Sequence, residues 1–328
     1  MDDLSSRYLG VDAGGTHTRV LIADAHGAAI ASSVGDGANL WSSGTSVAAV
    51  IHEALMKALG DVDTSTITHG VIAAAGGTAT RAAAVSTLLE MWNQAGLPGT
   101  PDVIPDVLAA YAAGTTAPSG IVLAAGTGSI AARVSDWQID RRAGGHGWLV
   151  GDEGSAVWLG IEAVRAALRS MDGRGPTTTL IDAVVQEFDL TDIRELDRGS
   201  EIVASVYSNP PVHFGRLAPL VIEHCRNGDE TARALVEQAA DHLTASAIAA
   251  SGGTEPHVLV LAGSMVTKAD AVASRVRERI AATWPDTHIA TAVDGAAGAI
   301  AIAIREHTGT AVDPEVLARL RNDSVTPS

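Results

Sequence analysis

Short apolar runs closed by glycine alternate along this chain with longer stretches whose apolar positions recur at helical spacing, the pattern of strands interleaved with helices. Tyr8, Leu9 and Val11 make the first run and Val20, Leu21 and Ile22 the second. Gly14, Gly15, Thr16 and Thr18 stand between them, which predicts strand, tight turn, strand. Gly27 marks a turn and Ala28 to Ser33 a third strand, followed by a loop from Gly35 to Trp41. Ser46 is placed to cap a helix over Val47 to Leu59, with Val50, Ile51, Ala54, Leu55 and Ala58 on one face. Gly70 to Ala75 reads as a buried strand closed by Gly76 and Gly77, Thr80 to Gln94 as a helix, and Asp102 to Ile104 as a short strand. Ala109 to Ala113 begins another helix.

After the polar link Gly114 to Gly120 the pattern restarts. Ile121 to Ala125 is an apolar strand, Gly126-Thr127-Gly128-Ser129 a turn and Ile130 to Val134 a returning strand, so a second Gly/Thr hairpin opens the second half. A glycine-dense loop, Ala143 to Gly151, and the acidic stretch Asp152 to Ser155 lead into a helix over Ala156 to Arg169. Thr177 to Ala250 is largely helical, with an interruption at Asn209-Pro210-Pro211. His257 to Ala262 is a strand entering Gly263-Ser264. A helix at Ala269 to Ala282, a strand at His288 to Thr291, an apolar helix at Ala296 to Arg305 and a short helical tail complete the prediction. At 328 residues the chain is too long for one small core, so the expected architecture is α/β in two domains, residues 1–115 and 116–328, with a cleft between them. The last helix is free to pack back across that boundary.

Composition narrows the partners. Lys and Arg number 22 against 38 Asp and Glu, a formal net charge of −16 with no basic run to offset it, so neither nucleic acid nor an anionic membrane is an expected partner. Cys225, the one cysteine, excludes an internal disulfide and a cysteine-only metal cage within one chain. It is expected as a reduced, buried thiol in a cytoplasmic protein. Met1 to Arg7 is polar with no apolar segment behind it, which argues against a signal peptide. The long uncharged run Val107 to Ala132 is broken by Gly114 to Gly120, so neither piece approaches the ~18 residues of a membrane span. With aromatics at only 3%, elements must pack closely on alanine and glycine.

The glycine turns carry the candidate chemistry. Gly14 and Gly15 with the Thr16 and Thr18 hydroxyls can aim several donors at one anion, which suits a polyphosphate, and Asp12 at the strand end would then hold a hydrated Mg²⁺ beside it. An ordinary Gly-Gly hairpin is the alternative. Neither Lys57 nor Lys268 follows a glycine, so the P-loop is absent, as are G-x-G-x-x-G, G-x-S-x-G and H-E-x-x-H. Four glycine-rich turns remain: Asp12 to Thr16, Gly126 to Ser129, Gly151 to Ser155 and Gly263-Ser264. Asp106, after Pro105 at a strand end, suits either a base for a hydroxyl or a helix cap. Asp152 and Glu153 lie just before a helix, where the dipole favours carboxylates without any function. Trp41, in a polar loop, offers a flat surface to a pyranose. His146 is a hydroxyl donor or simply a loop residue, and His17 is expected to fill space behind the phosphate turn.

In this order the turns resemble the superfamily of acetate kinase, sugar kinases, heat-shock proteins and actin. More narrowly they resemble the N-acetylglucosamine kinase group within the BadF/BadG/BcrA/BcrD-type ATPases. D-A-G-G-T-H-T, G-A-N-L-W, P-D-V-L-A-A-Y, A-A-G-T-G-S, A-G-G-H-G-W-L-V-G-D-E-G-S and L-A-G-S follow one another in the family's order from Tyr8 to about Ala303. The resemblance implies two actin-like, ribonuclease H-like domains that clamp ATP, and Mg²⁺-dependent phosphorylation of the 6-hydroxyl of an amino sugar, N-acetylglucosamine first. It assigns Asp12 to the metal, Gly14, Gly15 and Thr16 to the phosphates, Gly126, Thr127 and Gly128 to the second phosphate hairpin, and Gly263 and Ser264 to the adenosine. Asn39, Trp41, Gly145, His146 and Asp152 would hold the sugar, and Asp106 would be the catalytic carboxylate. The chain departs from animal-type members at His146, where they carry tryptophan, and at Ala75, where they carry a hydroxyl. A glucosamine kinase is the rival enzyme. A nucleotide-dependent activator or sensor is the rival of another class, against which the lone Cys225 argues. Whether the chain forms a homodimer is left open.

Overall fold

The computed structural model describes residues 6–38, 47–75 and 82–323. Its first sheet holds β1 (Arg7–Ala13), β2 (His17–Asp24), β3 (Ala29–Asp36), β4 (Ile67–Ala74) and β5 (Asp102–Pro105) in the order β3-β2-β1-β4-β5. The first three strands form an antiparallel meander, and β4 and β5 run parallel to β1. The second sheet holds β6 (Gly120–Ala125), β7 (Ser129–Ser135), β8 (Gln138–Gly144), β9 (Val258–Ala262) and β10 (His288–Thr291) in the order β8-β7-β6-β9-β10. It reproduces the first strand for strand, so the repeat visible in the sequence as a second hairpin extends to the whole sheet.

Strand β8 is absent from the sequence prediction, which has a loop beginning at Ala143. Its exposed Gln138, Asp140, Arg141 and Arg142 lack an apolar alternation, and charge on an edge strand keeps the edge from pairing further. The turn that returns it is Asp136-Trp137, both at positive φ (48° and 61°), a two-residue hairpin without the usual Asn-Gly signal.

The helices are α1 (Val47–Leu59), α2 (Ala82–Gln94), α3 (Asp106–Ala112), α4 (Ala156–Met171), α5 (Leu180–Glu187), α6 (Glu195–Ser208), α7 (Leu217–Arg226), α8 (Glu230–Ser251), α9 (Ser264–Thr267), α10 (Asp270–Thr283), α11 (Gly295–Thr308) and α12 (Pro314–Asp323). The interruption at Asn209-Pro210-Pro211 becomes a 3₁₀ turn, Pro211–Arg216. No helix among the described residues is long and apolar enough to cross a membrane. Cys225, on α7, is half-buried rather than buried.

Both faces of both sheets are covered, which is why the central strands are continuous apolar runs rather than alternating ones. Leu9 and Val11 of β1 pack with Ile51 and Leu55 of α1 and Trp92 of α2, while Tyr8 turns to the other face. In β9, Leu259 and Leu261 join Leu243 and Ala247 of α8, and Val258 and Val260 join α3. Between the sheets lie α3 and α11. Helix α11 follows the second sheet in sequence yet lies on β1 and β4, and α3 follows the first sheet yet lies also on β6, β7 and β9. The two cross without side chains between them: a Cβ on Gly298 would fall 1.9 Å from the Ala109 carbonyl oxygen. Trp137 fastens this layer from the β7–β8 turn, edge-on to Tyr111 of α3 at 5.9 Å and under the Arg305 guanidinium of α11 at 5.5 Å.

Candidate active site

The β1–β2 and β6–β7 turns meet at the C-terminal ends of β1 and β6. The Gly14 amide donates to the His17 carbonyl (3.1 Å) and the Gly126 amide to the Gly128 carbonyl (2.9 Å), which closes each turn tightly. The Thr16 and Thr127 hydroxyls, one from each turn, share a hydrogen bond of 2.6 Å. Around them opens a cleft of about 1740 Å³. Ligand pockets commonly measure about 300–1,000 Å³, so this one has room for two ligands side by side. Thr18, expected to share the anion, is fully buried on β2 and does not line the cleft. His17, expected behind the turn, is exposed and does line it.

Three carboxylates converge on the first hairpin. Asp12, at the end of β1, sits so close to the start of α11 that a Cβ on Gly295 would lie 2.3 Å from Asp12 Oδ2. Burial, then the neighbouring charges of Asp106 and Asp294, push the Asp12 pKa up to about 7, with Arg19 opposing them. Asp294 is buried as the N-cap of α11, accepts the Ala296 amide at 2.8 Å and lies 3.7 Å from Arg19 Nη1. Asp106 opens α3 but is not its cap, a position held by Pro105; its carboxylate accepts the Val107 amide at 2.9 Å and lines the cleft. Burial raises its pKa, against the amides of Val107 and Asp106 and the positive charge of Arg142.

On the opposite side the second hairpin, the 145–152 loop and the start of α4 form one block. Asp152 adopts a left-handed backbone (φ 58°) and accepts the Gly147 amide at 3.2 Å. A Cβ on Gly128 would meet the Asp152 carboxylate at 2.8 Å. Burial raises the Asp152 pKa, and that amide works against the rise. Gly145 donates to the Ser129 carbonyl, Ser129 Oγ to the Glu153 carbonyl and the Ala156 amide to the Gly126 carbonyl, each within 2.8–2.9 Å. His146 is exposed beside Gly151. The floor comes from Gly263 (φ 83°), where a Cβ would lie 2.4 Å from the Ala125 carbonyl oxygen, and Ser264 opens α9 above it.

Thr18 apart, every expected site residue among the described ones therefore lines this one cleft. Asn39 and Trp41 lie outside the described residues. Sequence reasoning missed Arg19, Arg142, Asp294 and Gly295. Asp294 was legible as an N-cap, an Asp just before an apolar helix, but nothing local placed it against Asp12. Among the described residues no group of three or more His, Cys, Asp or Glu is arranged to hold a metal.

Comparison with known proteins agrees with this geometry. An N-acetylmuramic acid/N-acetylglucosamine kinase of Clostridium acetobutylicum is 28% identical over 91% of this chain and 98% of its own length. An N-acetyl-D-glucosamine kinase of Dictyostelium discoideum is 26% identical over 90% of this chain and 97% of its own. The solved structure of a provisional N-acetylglucosamine kinase from Chromobacterium violaceum superposes with a TM-score of 0.69 at 25% identity, covering 90% of this chain and 98% of the other. The fold is thus the actin-like one of the sugar kinases. Residues 9–303 match the BadF/BadG/BcrA/BcrD ATPase family, and the chain belongs to it.

Proposed function

We propose that this chain is an ATP-dependent kinase that phosphorylates the 6-hydroxyl of an amino sugar, with N-acetylglucosamine preferred over glucosamine. The observation that carries the reading is the meeting of two Gly/Thr hairpins at Thr16 and Thr127 in the cleft that Asp106 lines. The relatives at 26–28% identity, which by name act on N-acetylglucosamine, support the substrate. In this reading the chain divides near residue 115 into two lobes, and ATP lies between them with its phosphates on Gly14 to Thr16 and Gly126 to Gly128 and its adenosine over Gly263 and Ser264.

The residues fit Mg²⁺. Magnesium is commonly held by one or two carboxylates together with substrate phosphates and water, so Asp12 without a protein cage is sufficient. Burial first, and then the charges of Asp106 and Asp294, raise the proton affinity of Asp12, and a cation beside these carboxylates would offset the repulsion among them. When bound, the ion offsets the charge of the phosphate oxygens. Asp106 accepts the proton of the sugar hydroxyl as its oxygen bonds to the γ-phosphorus, and the bond from that phosphorus to the bridging oxygen breaks with its electron pair leaving on ADP. Burial of Asp106 brings its basicity nearer the working pH. Gly145, His146 and Asp152 hold the ring hydroxyls, and Asn39 and Trp41 receive the acetamido group.

ADP release measured across hexoses, hexosamines and N-acetylhexosamines, for the natural chain and for Asp106→Asn, tests the reading. N-acetylglucosamine is expected to give the highest kcat/KM, and Asp106→Asn to lose ~10²–10⁴-fold in kcat with KM largely kept. A roughly tenfold preference for glucosamine, about 1.4 kcal/mol, would move the substrate to the free amine. No turnover on any sugar would sink the kinase reading, and near-normal turnover by Asp106→Asn would reduce Asp106 to a structural role.

A further inference from the structure

Arg142 is a cleft cation with no role in the reading above. Successive residues of a strand face opposite sides, and on β8 Arg141 faces the end of α8, where its Nη1 lies 2.6 Å from a Cβ built on Gly252. Arg142 therefore projects from the other face, the one that α3 covers, and lines the cleft together with Asp106. Its charge is felt at the Asp106 carboxylate. Among the described residues it has no ion pair, whereas Arg133 of the same hairpin is held by Asp140 at 2.8 Å and Arg19 by Asp294 at 3.7 Å. An exposed guanidinium without a counter-ion thus stands near the group that receives the hydroxyl proton, in a cleft lined also by Asp12, Asp106, Asp152 and Asp294 and by the cations Arg19, Lys57 and Lys268.

We propose that Arg142 is a catalytic residue of phosphoryl transfer, whose guanidinium donates hydrogen bonds to the equatorial oxygens of the γ-phosphoryl group as it passes to the sugar hydroxyl beside Asp106. The proposal rests on the kinase reading. In the loose transition state charge spreads over those three oxygens, and the planar fork of arginine matches two of them at once. The bonds made and broken remain those between phosphorus, the sugar oxygen and the ADP oxygen; Arg142 supplies charge and loses no proton.

The experiment uses the full chain with Arg142→Ala and Arg142→Lys, with N-acetylglucosamine and Mg·ATP varied separately. Arg142→Ala is expected to lose ~10²–10³-fold in kcat with both KM values near those of the natural chain. Arg142→Lys should lose less, and added guanidinium should restore part of the alanine variant's rate. ADP with tetrafluoroaluminate and the sugar should bind tightly to the natural chain and weakly to Arg142→Ala, while a non-hydrolysable ATP analogue binds both alike. A kcat for Arg142→Ala within about threefold of the natural value, or a loss lying wholly in the sugar KM, overturns the assignment. If the natural chain turns over no amino sugar, the kinase reading falls and this proposal with it; turnover by the natural chain with unaffected variants overturns this proposal alone.

Discussion

Asp12 shows what the site demands of a single residue. Its carboxyl has an ordinary pKa of 3.8 and is pushed up to about 7 in the folded chain, so between those values the folded state binds more protons than the unfolded one. Stability therefore falls as pH rises through that window, and the loss is complete above about 7. The shift sets an upper bound of about 4 kcal/mol on the loss. Asp12→Asn keeps the shape without the charge. In metal-free buffer it is expected to raise the urea midpoint at pH 8 and to give a gain that shrinks toward pH 4, while turnover is expected to be lost, since Asp12 is the proposed metal ligand. Equal midpoint changes at both pH values would show that Asp12 carries no such strain. The conflict between stability and activity at one position is the usual mark of a site that must present charge to a ligand.

At the scale of elements, the crossing of α3 and α11 is where stability and the proposed catalysis are joined, since α3 begins with Asp106 and α11 begins against Asp12. Helix propensity alone favours Ala over Gly by about 1 kcal/mol. At Gly298 the new Cβ would lie 1.9 Å from the Ala109 carbonyl oxygen, so the helices must separate. Gly298→Ala is accordingly expected to destabilise by about 1–3 kcal/mol in urea unfolding and to lower kcat by moving Asp106. A stabilised variant would show that the helices do not cross so closely. Elements specified by local pattern were legible: α1 has the predicted bounds Val47–Leu59, and both Gly/Thr hairpins stand where the apolar runs place them. Strand β8 was not, because its charges follow edge exposure and its turn lacks the glycine that usually marks one. Nor was the placement of α11: nine apolar or small residues from Ala296 to Ile304 are buried, which says that the helix is enclosed but not by which sheet. Thr16 and Thr127, 111 residues apart, illustrate the same limit, since each hydroxyl belongs to a readable turn while their meeting depends on the pairing of two whole sheets.

For the whole molecule, two sheets of one topology face each other across α3 and α11, with the cleft at the C-terminal ends of their central strands. The two sheets are joined through these helices, since α11 belongs to one sheet by contact and to the other by sequence while α3 touches both. The hairpins already touch through Thr16 and Thr127, so a nucleotide whose phosphates enter between them has no reason to draw the tips closer. The sugar differs: its proposed partners Asp106 on α3 and Asp152 on the second block lie on two walls of the cleft, and contacts to both can be completed only as the walls approach. Closure of this kind excludes the water that would otherwise take the phosphoryl group. Small-angle scattering is therefore expected to show a smaller radius of gyration with N-acetylglucosamine and a non-hydrolysable ATP analogue together, and little change with the analogue alone. Full compaction by the nucleotide without sugar would place the closing contacts on the hairpins. An unchanged radius with both ligands bound would mean that the cleft works at the width it has here.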